Sequence, residues 1–165
     1  MRNFYPKMNQ ALKRDSELLA LRHKVELQLG DILDVDLVVE GYLEALFFGE
    51  TITLEDGEII PADDAGLGYS SLTVDSWALV LSDVLDYLAT ADTDYPEFCA
   101  NVISYIEARG SSVLFGHDIY FTQAGHGVGF WDHGLGDVGD YLTDRAGHNA
   151  VCVFIDGDSL VIEQG

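Results

Sequence analysis

Apolar residues recur at helical spacing through most of the first 110 positions. The clearest pattern covers residues 75–90, where six apolar side chains follow the i, i+3, i+4, i+7 rule: Trp77, Val80, Leu81, Val84, Leu85 and Leu88. Pro96 in a first turn and Gly110 beyond the last residue indicate a helix over about 96–108. Similar patterns predict helices over about 9–29, 34–48 and 136–146.

The pattern changes after Gly110, where glycines and period-two apolar runs replace the helical spacing. We predict strands over about 119–123 and 128–132, and a hairpin of strands 151–155 and 160–163 across Asp156-Gly157-Asp158. A short hairpin is also expected around Asp56-Gly57. With the helix at 136–146, the C-terminal strands make a small antiparallel β-β-α-β-β layer on a helical N-terminal half. The predicted fold class is therefore α+β.

Charge divides the chain into two unequal parts. The 165 residues carry 29 acids and eight bases, a formal net charge of -21 at pH 7. Six of the bases lie in the first 24 residues, whereas 27 acids and only Arg109 and Arg145 follow. We therefore predict a basic amphipathic helical arm over 1–30 and a single acidic α+β domain over 31–165. The simplest expectation is that the arm packs on its own acidic body, and docking on a partner is the alternative.

Composition excludes several classes of protein. Apolar residues make up 48% of the chain, which rules out wholesale disorder. The negative charge excludes direct nucleic-acid binding by the body. The two cysteines, Cys99 and Cys152, are too few for a disulfide scaffold and lack metal-ligand spacing, which favours a reducing compartment and no metal or other cofactor. No apolar run reaches the roughly 18 residues of a membrane span, so no membrane association is expected.

The density of negative charge is close to that of DNA. A domain of this length is about 40 Å across, and the same length of duplex carries roughly two dozen phosphates. The residues from Val25 onward carry a net charge of -25. The carboxylates expected to face a partner's lysines and arginines are Asp75, Asp83, Asp86, Asp92, Asp94, Glu97, Asp137 and Asp140. The alternative is that the acids only confer solubility.

Histidines and carboxylates are densest in residues 116–134. If the chain is an enzyme, the candidate acid–base residues are His117, Asp118, His126 and Asp132, although their spacing matches no metal signature. The structural interpretation assigns positive φ angles to Gly125, Gly127 and Gly129, and room for Trp131 over the backbone. Phe130 and Trp131 then fill the core, and Asp118 or Asp132 hydrogen-bonds a histidine or backbone amides.

This segment, GHDIYFTQAGHGVGFWDHG from Gly116 to Gly134, resembles a family of small acidic tailed-phage proteins, mostly of unassigned function. Their tail carries a GHDFWLTRNGHGAGFWDRG-like signature and closes with a hairpin around an Asp-Gly turn, as residues 151–162 do here. Their front half has a helix similar to Tyr42–Phe48. Gln123 and His133 stand where that family usually has arginines, so this tail is more acidic. The resemblance implies a phage protein but brings no activity with it.

Three functions remain open at this point. The first is a phage accessory protein that works in the host cytoplasm and inhibits a basic, nucleic-acid-handling host protein by presenting DNA-like charge. The second is an assembly or interaction protein that docks through its basic N-terminal helix. The third is a small His/Asp enzyme with its site in residues 116–134. A homo-oligomer is compatible with all three.

Overall fold

The computed structural model describes residues 5–165, in which seven helices surround one core and two short hairpins lie at its edge. The helices are α1 (Pro6–Arg14), α2 (Ser16–Leu29), α3 (Val35–Gly49), α4 (Val74–Leu88), α5 (Tyr95–Arg109), α6 (Ser112–Ala124) and α7 (Asp137–Ala146). The strands are β1 (Thr51–Thr53), β2 (Ile59–Pro61), β3 (Val151–Asp156) and β4 (Ser159–Gln164). The fold class is α+β, as predicted.

The N-terminal segment forms two helices where the sequence pattern predicted one over 9–29. Asp15 leaves the helical conformation, with φ -117° and ψ 103°, and its Oδ1 accepts hydrogen bonds from the amides of Glu17 and Leu18 at 3.1 Å. An aspartate in this position satisfies the free amides of a new helix, so α2 starts there. Both helices pack on α4, which confirms that the basic segment lies on its own body.

Helices α3 and α6 cross at two glycines. A Cβ added at Gly41 would lie 2.0 Å from the Val113 carbonyl oxygen, and one added at Gly116 would lie 2.0 Å from the Val38 carbonyl oxygen. Each backbone therefore occupies the space of the other's missing side chain. This contact brings the two helices closer than any pair of larger residues would allow.

The clearest prediction, the helix over 75–90, is confirmed as α4, and its six apolar side chains are all buried. Thr73 caps it, with Oγ1 accepting from the Ser76 amide at 3.1 Å. Ser76 Oγ in turn accepts from the Ile162 amide at 2.8 Å, which fastens β4 to α4. The hairpin at the C-terminus is thereby held against the centre of the helical layer.

The largest correction concerns residues 112–132. Residues 119–123, predicted as a strand, belong to α6, and residues 128–132 form a turn that ends in a 3₁₀ helix, Phe130–Asp132. Ser111 caps α6 by accepting from the Leu114 amide, and Gly125 ends it with φ +73°. The β-branched and aromatic residues that favour a strand are overridden by packing on α3.

The prediction of a β-β-α-β-β layer is therefore wrong, because its first two strands do not form. Strands β3 and β4 form an antiparallel hairpin from Val151↔Gln164 to Asp156↔Ser159, as predicted, and Gly157 turns it with φ +61°. The short hairpin around Asp56-Gly57 is also confirmed as β1 and β2.

Candidate functional site

Asp118 is the buried polar centre of the histidine-rich segment. It lies on α6 with 3% of its surface exposed. Its Oδ2 accepts a hydrogen bond from the Tyr105 hydroxyl of α5 at 2.6 Å, and its Oδ1 lies 2.8 Å from Nε2 of His133. Burial, reinforced by Asp118, raises the pKa of Tyr105 well above its ordinary value. The carboxylate thus joins α5, α6 and the turn after α6, which confirms its predicted bond to a histidine.

The other candidate acid–base residues do not converge on Asp118. His117 Nε2 lies 3.6 Å from a carboxylate oxygen of Glu44 on α3. His126 packs against the rings of Tyr120 and Phe121. Asp132 is exposed. The structure therefore does not assemble His117, Asp118, His126 and Asp132 into one centre.

The glycines of this turn serve different purposes. Gly125 has the predicted positive φ, whereas Gly127 does not, and Gly129 is extended with φ 163°. A Cβ at Gly129 would lie 2.6 Å from Thr122 Oγ1, the atom that accepts from the Phe130 amide at 3.2 Å. Gly129 therefore allows the turn to lie against α6.

The prediction that Phe130 and Trp131 both fill the core is half right. Phe130 is fully buried and stacks on Tyr87 at 5.8 Å between ring centroids, with Tyr105 and Phe115 at its edges. Trp131 is 48% exposed. Neighbouring residues of a tight 3₁₀ turn point in different directions, so only one of the two rings reaches the core.

The acids lie overwhelmingly at the surface. Of the 29 acids, 24 are exposed and two are half-buried, while the three buried ones all have partners. Asp36 pairs with Arg22, and Asp118 has the two partners described above. Asp83, predicted at the surface, is instead buried and accepts from the Tyr42 hydroxyl at 3.2 Å. The other seven predicted surface carboxylates are exposed: Asp75, Asp86, Asp92, Asp94, Glu97, Asp137 and Asp140.

Few bases offset these carboxylates. Among the described residues, the fully exposed bases are Lys13, Arg14 and Lys24, all on α1 and α2. Arg145 directs Nε to the Tyr87 carbonyl oxygen at 2.9 Å, and its guanidinium lies 3.9 Å over the ring of Phe98.

The exposed charged side chains of residues 31–165 are therefore all carboxylates. Arg109, the other base of this segment, has a buried Nε. Both arginines are half-buried, whereas 21 acids of the same segment are exposed.

Carboxylates from α5 and α7 share one face. The pKa of Tyr141 in α7 is raised mainly by burial, then by the negative charge of Glu97, and further by that of Asp94. We define the α5–α7 acidic face as Asp92, Asp94, Glu97 and Asp140. Acids in the first turn of a helix interact favourably with its dipole, so Glu97 and Asp140 can be concentrated here at little cost in stability.

Within residues 5–165 no group of three or more histidine, cysteine, aspartate or glutamate side chains is placed to hold a metal ion. None of the helices in this range is both long and apolar enough to cross a bilayer. Tyr105, which donates to Asp118, and Arg145, which lies over Phe98, are not marked by any sequence motif.

No protein-family model, curated protein sequence or solved structure matches the chain. The resemblance of residues 116–134 to phage proteins therefore stays a prediction.

Proposed function

We propose that this chain is a phage accessory protein that acts in the host cytoplasm. There it binds and inhibits a basic host protein that handles DNA or RNA, because its negative surface competes with nucleic acid for the same groove. The observation that carries the proposal is that residues 31–165 have 21 exposed acids, while their two arginines, Arg109 and Arg145, are half-buried.

The arrangement of charge supports this function more than solubility alone. Complementary charge steers a basic partner to the surface and speeds association. The α5–α7 acidic face places Glu97 and Asp140 on packed helices, and Asp92 and Asp94 in the turn that leads into α5. A partner that normally binds phosphates would meet an array of comparable charge density.

Packing of α1 and α2 on α4 bears on the assembly alternative. A docking arm needs an unoccupied apolar face, but Met8, Leu12, Leu18 and Val25 are buried in the core of this chain. The exposed bases left on these helices are Lys13, Arg14 and Lys24. We call the inhibition of a nucleic-acid-handling protein by DNA-like charge the decoy function. We therefore place the decoy function ahead of docking through the basic helix.

The test is a pull-down of tagged full-length protein from a bacterial host lysate, at low and high salt, with and without added duplex DNA. A nucleic-acid-handling protein that is retained at low salt, and released by salt or by DNA, supports the proposal. A partner held equally under all three conditions contradicts it, because contacts between exposed charges are screened by salt.

Two variants of equal charge sharpen the test. The first removes three carboxylates of the acidic face, Asp92→Asn, Asp94→Asn and Glu97→Gln. The control removes three exposed carboxylates elsewhere, Glu55→Gln, Glu58→Gln and Glu163→Gln. We expect the first to weaken capture at least about tenfold more than the control, since charge next to the interface acts more strongly than distant charge. Equal weakening would show that only total charge matters.

A further inference from the structure

A polar pocket of about 240 Å³ lies where α4, the end of α6 and the segment after α7 meet. Its walls include Asp83 and Asp86 from α4, Gln123 from α6, Arg145 from α7 and Asn149 before β3. The first hypothesis from the sequence names Asp83 and Asp86 as surface carboxylates, but none of the three hypotheses includes a pocket.

Gln123 is the feature of this pocket that points to a ligand. The residue is 7% exposed, and its Oε1 is buried without a hydrogen-bond partner among the described residues. A buried acceptor without a donor is costly, because it has lost its hydrogen bond to water without replacing it. The terminal torsion of a glutamine side chain is soft, so this amide can reorient when a donor enters the pocket.

The remaining groups give the pocket a preference for cations. Tyr42 donates a hydrogen bond to Asp83 Oδ2 at 3.2 Å, and Ser82 Oγ donates to Asp86 Oδ2 at 3.2 Å, which leaves acceptor capacity on both carboxylates. Burial raises the pKa of Asp83, and Asp86 adds to this effect, so a bound cation would favour the ionised carboxylate.

Arg145 forms a wall of the pocket. Its bonds to the carbonyl oxygens of Tyr87 and Ala89 and its position over Phe98 hold it in place. With both carboxylates ionised, Asp83, Asp86 and Arg145 give the pocket a net negative charge.

We infer that this pocket binds the guanidinium group of an arginine side chain of the basic partner. This inference rests on the proposed function. A guanidinium has five N–H donors in one plane, enough to engage Asp83, Asp86 and Gln123 together. An ammonium is a compact charge with three donors around one nitrogen and lacks this planar array. The pocket volume suits a single side chain.

The pocket lies beside α5, the helix that carries Glu97 of the acidic face. Arg145 lines the pocket, and its guanidinium lies over the ring of Phe98 in α5. Its charge lowers the pKa of Tyr141, which the charges of Glu97 and Asp94 raise. A partner seated on the acidic face can therefore insert one arginine while its other bases face the exposed carboxylates.

The test titrates the full chain with N-acetyl-arginine-N-methylamide and follows the NMR signals of the backbone and of the Gln123 and Asn149 side-chain amides. The controls are the lysine analogue, which has a different cation, and the neutral citrulline analogue, which has nearly the same shape. We expect saturable shifts confined to the pocket with the arginine probe alone. Scattered shifts that are the same for arginine and lysine probes would overturn the inference.

Two variants separate the pocket from general charge. Asp86→Asn and Gln123→Leu should each weaken binding of the arginine probe about tenfold, since each removes one hydrogen-bond acceptor. Glu107→Gln removes an exposed charge from α5 outside the pocket and should leave binding within about twofold. Equal losses in Asp86→Asn and Glu107→Gln contradict the inference, provided that thermal melts show all three variants folded.

The two proposals can fail separately. If the lysate yields a salt-sensitive partner but Gln123→Leu captures it normally and no probe binds, only the pocket assignment is wrong. If the arginine probe binds as expected but no nucleic-acid-handling partner is captured, the pocket stands as a guanidinium site and the decoy function is wrong.

Discussion

Arg22 and Asp36 form a buried ion pair between α2 and α3, with Nη2 2.5 Å from Oδ1. Arg22 is 4% exposed and also lies 3.1 Å from Glu26. Arg22→Met removes the arginine that pairs with the buried Asp36 carboxylate. We expect a loss of about 3–5 kcal/mol in the free energy of unfolding, measured by urea denaturation.

The matched control is Arg14→Met, which breaks an exposed pair with Asp75 at 2.7 Å. Exposed pairs contribute about 0–1 kcal/mol, so this variant should stay close to the original protein. Similar losses in both variants would mean that Arg22 contributes through its aliphatic packing and not through the pair.

Gly116→Ala should be among the most destabilising small substitutions in the chain. The added methyl would meet the Val38 carbonyl oxygen at 2.0 Å, and backbone atoms cannot move aside without separating α3 from α6. We expect a loss of at least about 3 kcal/mol, the upper range for overpacking. Gly68→Ala, which meets no atom within 4 Å and has φ -104°, is the control and should be neutral or slightly stabilising. A stable, well-folded Gly116→Ala protein would refute the close crossing.

His133→Ala removes a donor from the buried Asp118 carboxylate and should cost about 2–3 kcal/mol. The exposed His23→Ala is the control, expected within about 0.5 kcal/mol. Thermal melts compare the two. If His133→Ala melts like the control, the histidine does not hold the turn. The enzyme hypothesis for residues 116–134 is tested separately. That hypothesis requires His126→Ala and Asp132→Asn to abolish function without lowering the melting temperature.

Alkaline pH should destabilise the fold. Burial raises the pKa of Tyr42, Tyr87, Tyr105 and Tyr120 above the ordinary value of 10.0. The unfolded chain releases these protons near pH 10, while the folded chain holds them to higher pH. Stability is therefore intact below pH 10 and falls as pH rises beyond it, by about 1.4 kcal/mol per pH unit for each fully buried tyrosine.

Urea midpoints on both sides of pH 10 check this prediction. Tyr87→Phe removes one buried titrating group and should make the decline shallower, although it also removes the hydroxyl bond to the Leu142 carbonyl oxygen at 2.9 Å. A midpoint that stays constant well above pH 10 would contradict the burial of these hydroxyl groups.

The sequence predicts those elements whose signals are local. The apolar residues from Trp77 to Leu88 locate α4 within a few residues. Pro96 in the first turn and Gly110 after the last residue locate α5 equally well. The turn at Asp156-Gly157 likewise locates the C-terminal hairpin. Helix α6 is different because it is buried on several sides, which weakens its periodicity, and the glycine that suggests a loop at 116 is a packing site against α3.

The candidate site shows the same division. Exposure of most acids follows from the cost of burying unpaired charge, so the acidic surface can be predicted from composition. Burial of Asp83 cannot, because its partner Tyr42 lies 41 positions away in the chain. The pocket at Gln123 also depends on residues from four separate segments, and no spacing along the chain brings them together.

Trp131 and Trp77, the two tryptophans of the chain, occupy opposite environments, 48% and 1% exposed. Fluorescence can therefore separate the surface from the interior without any attached dye. The negative surface should make caesium a far better quencher of Trp131 than iodide, while neither ion reaches Trp77. Protection of Trp131 from caesium by a bound protein would then show that the partner covers the turn after α6, and a shift in the emission of Trp77 would show that the interior responds.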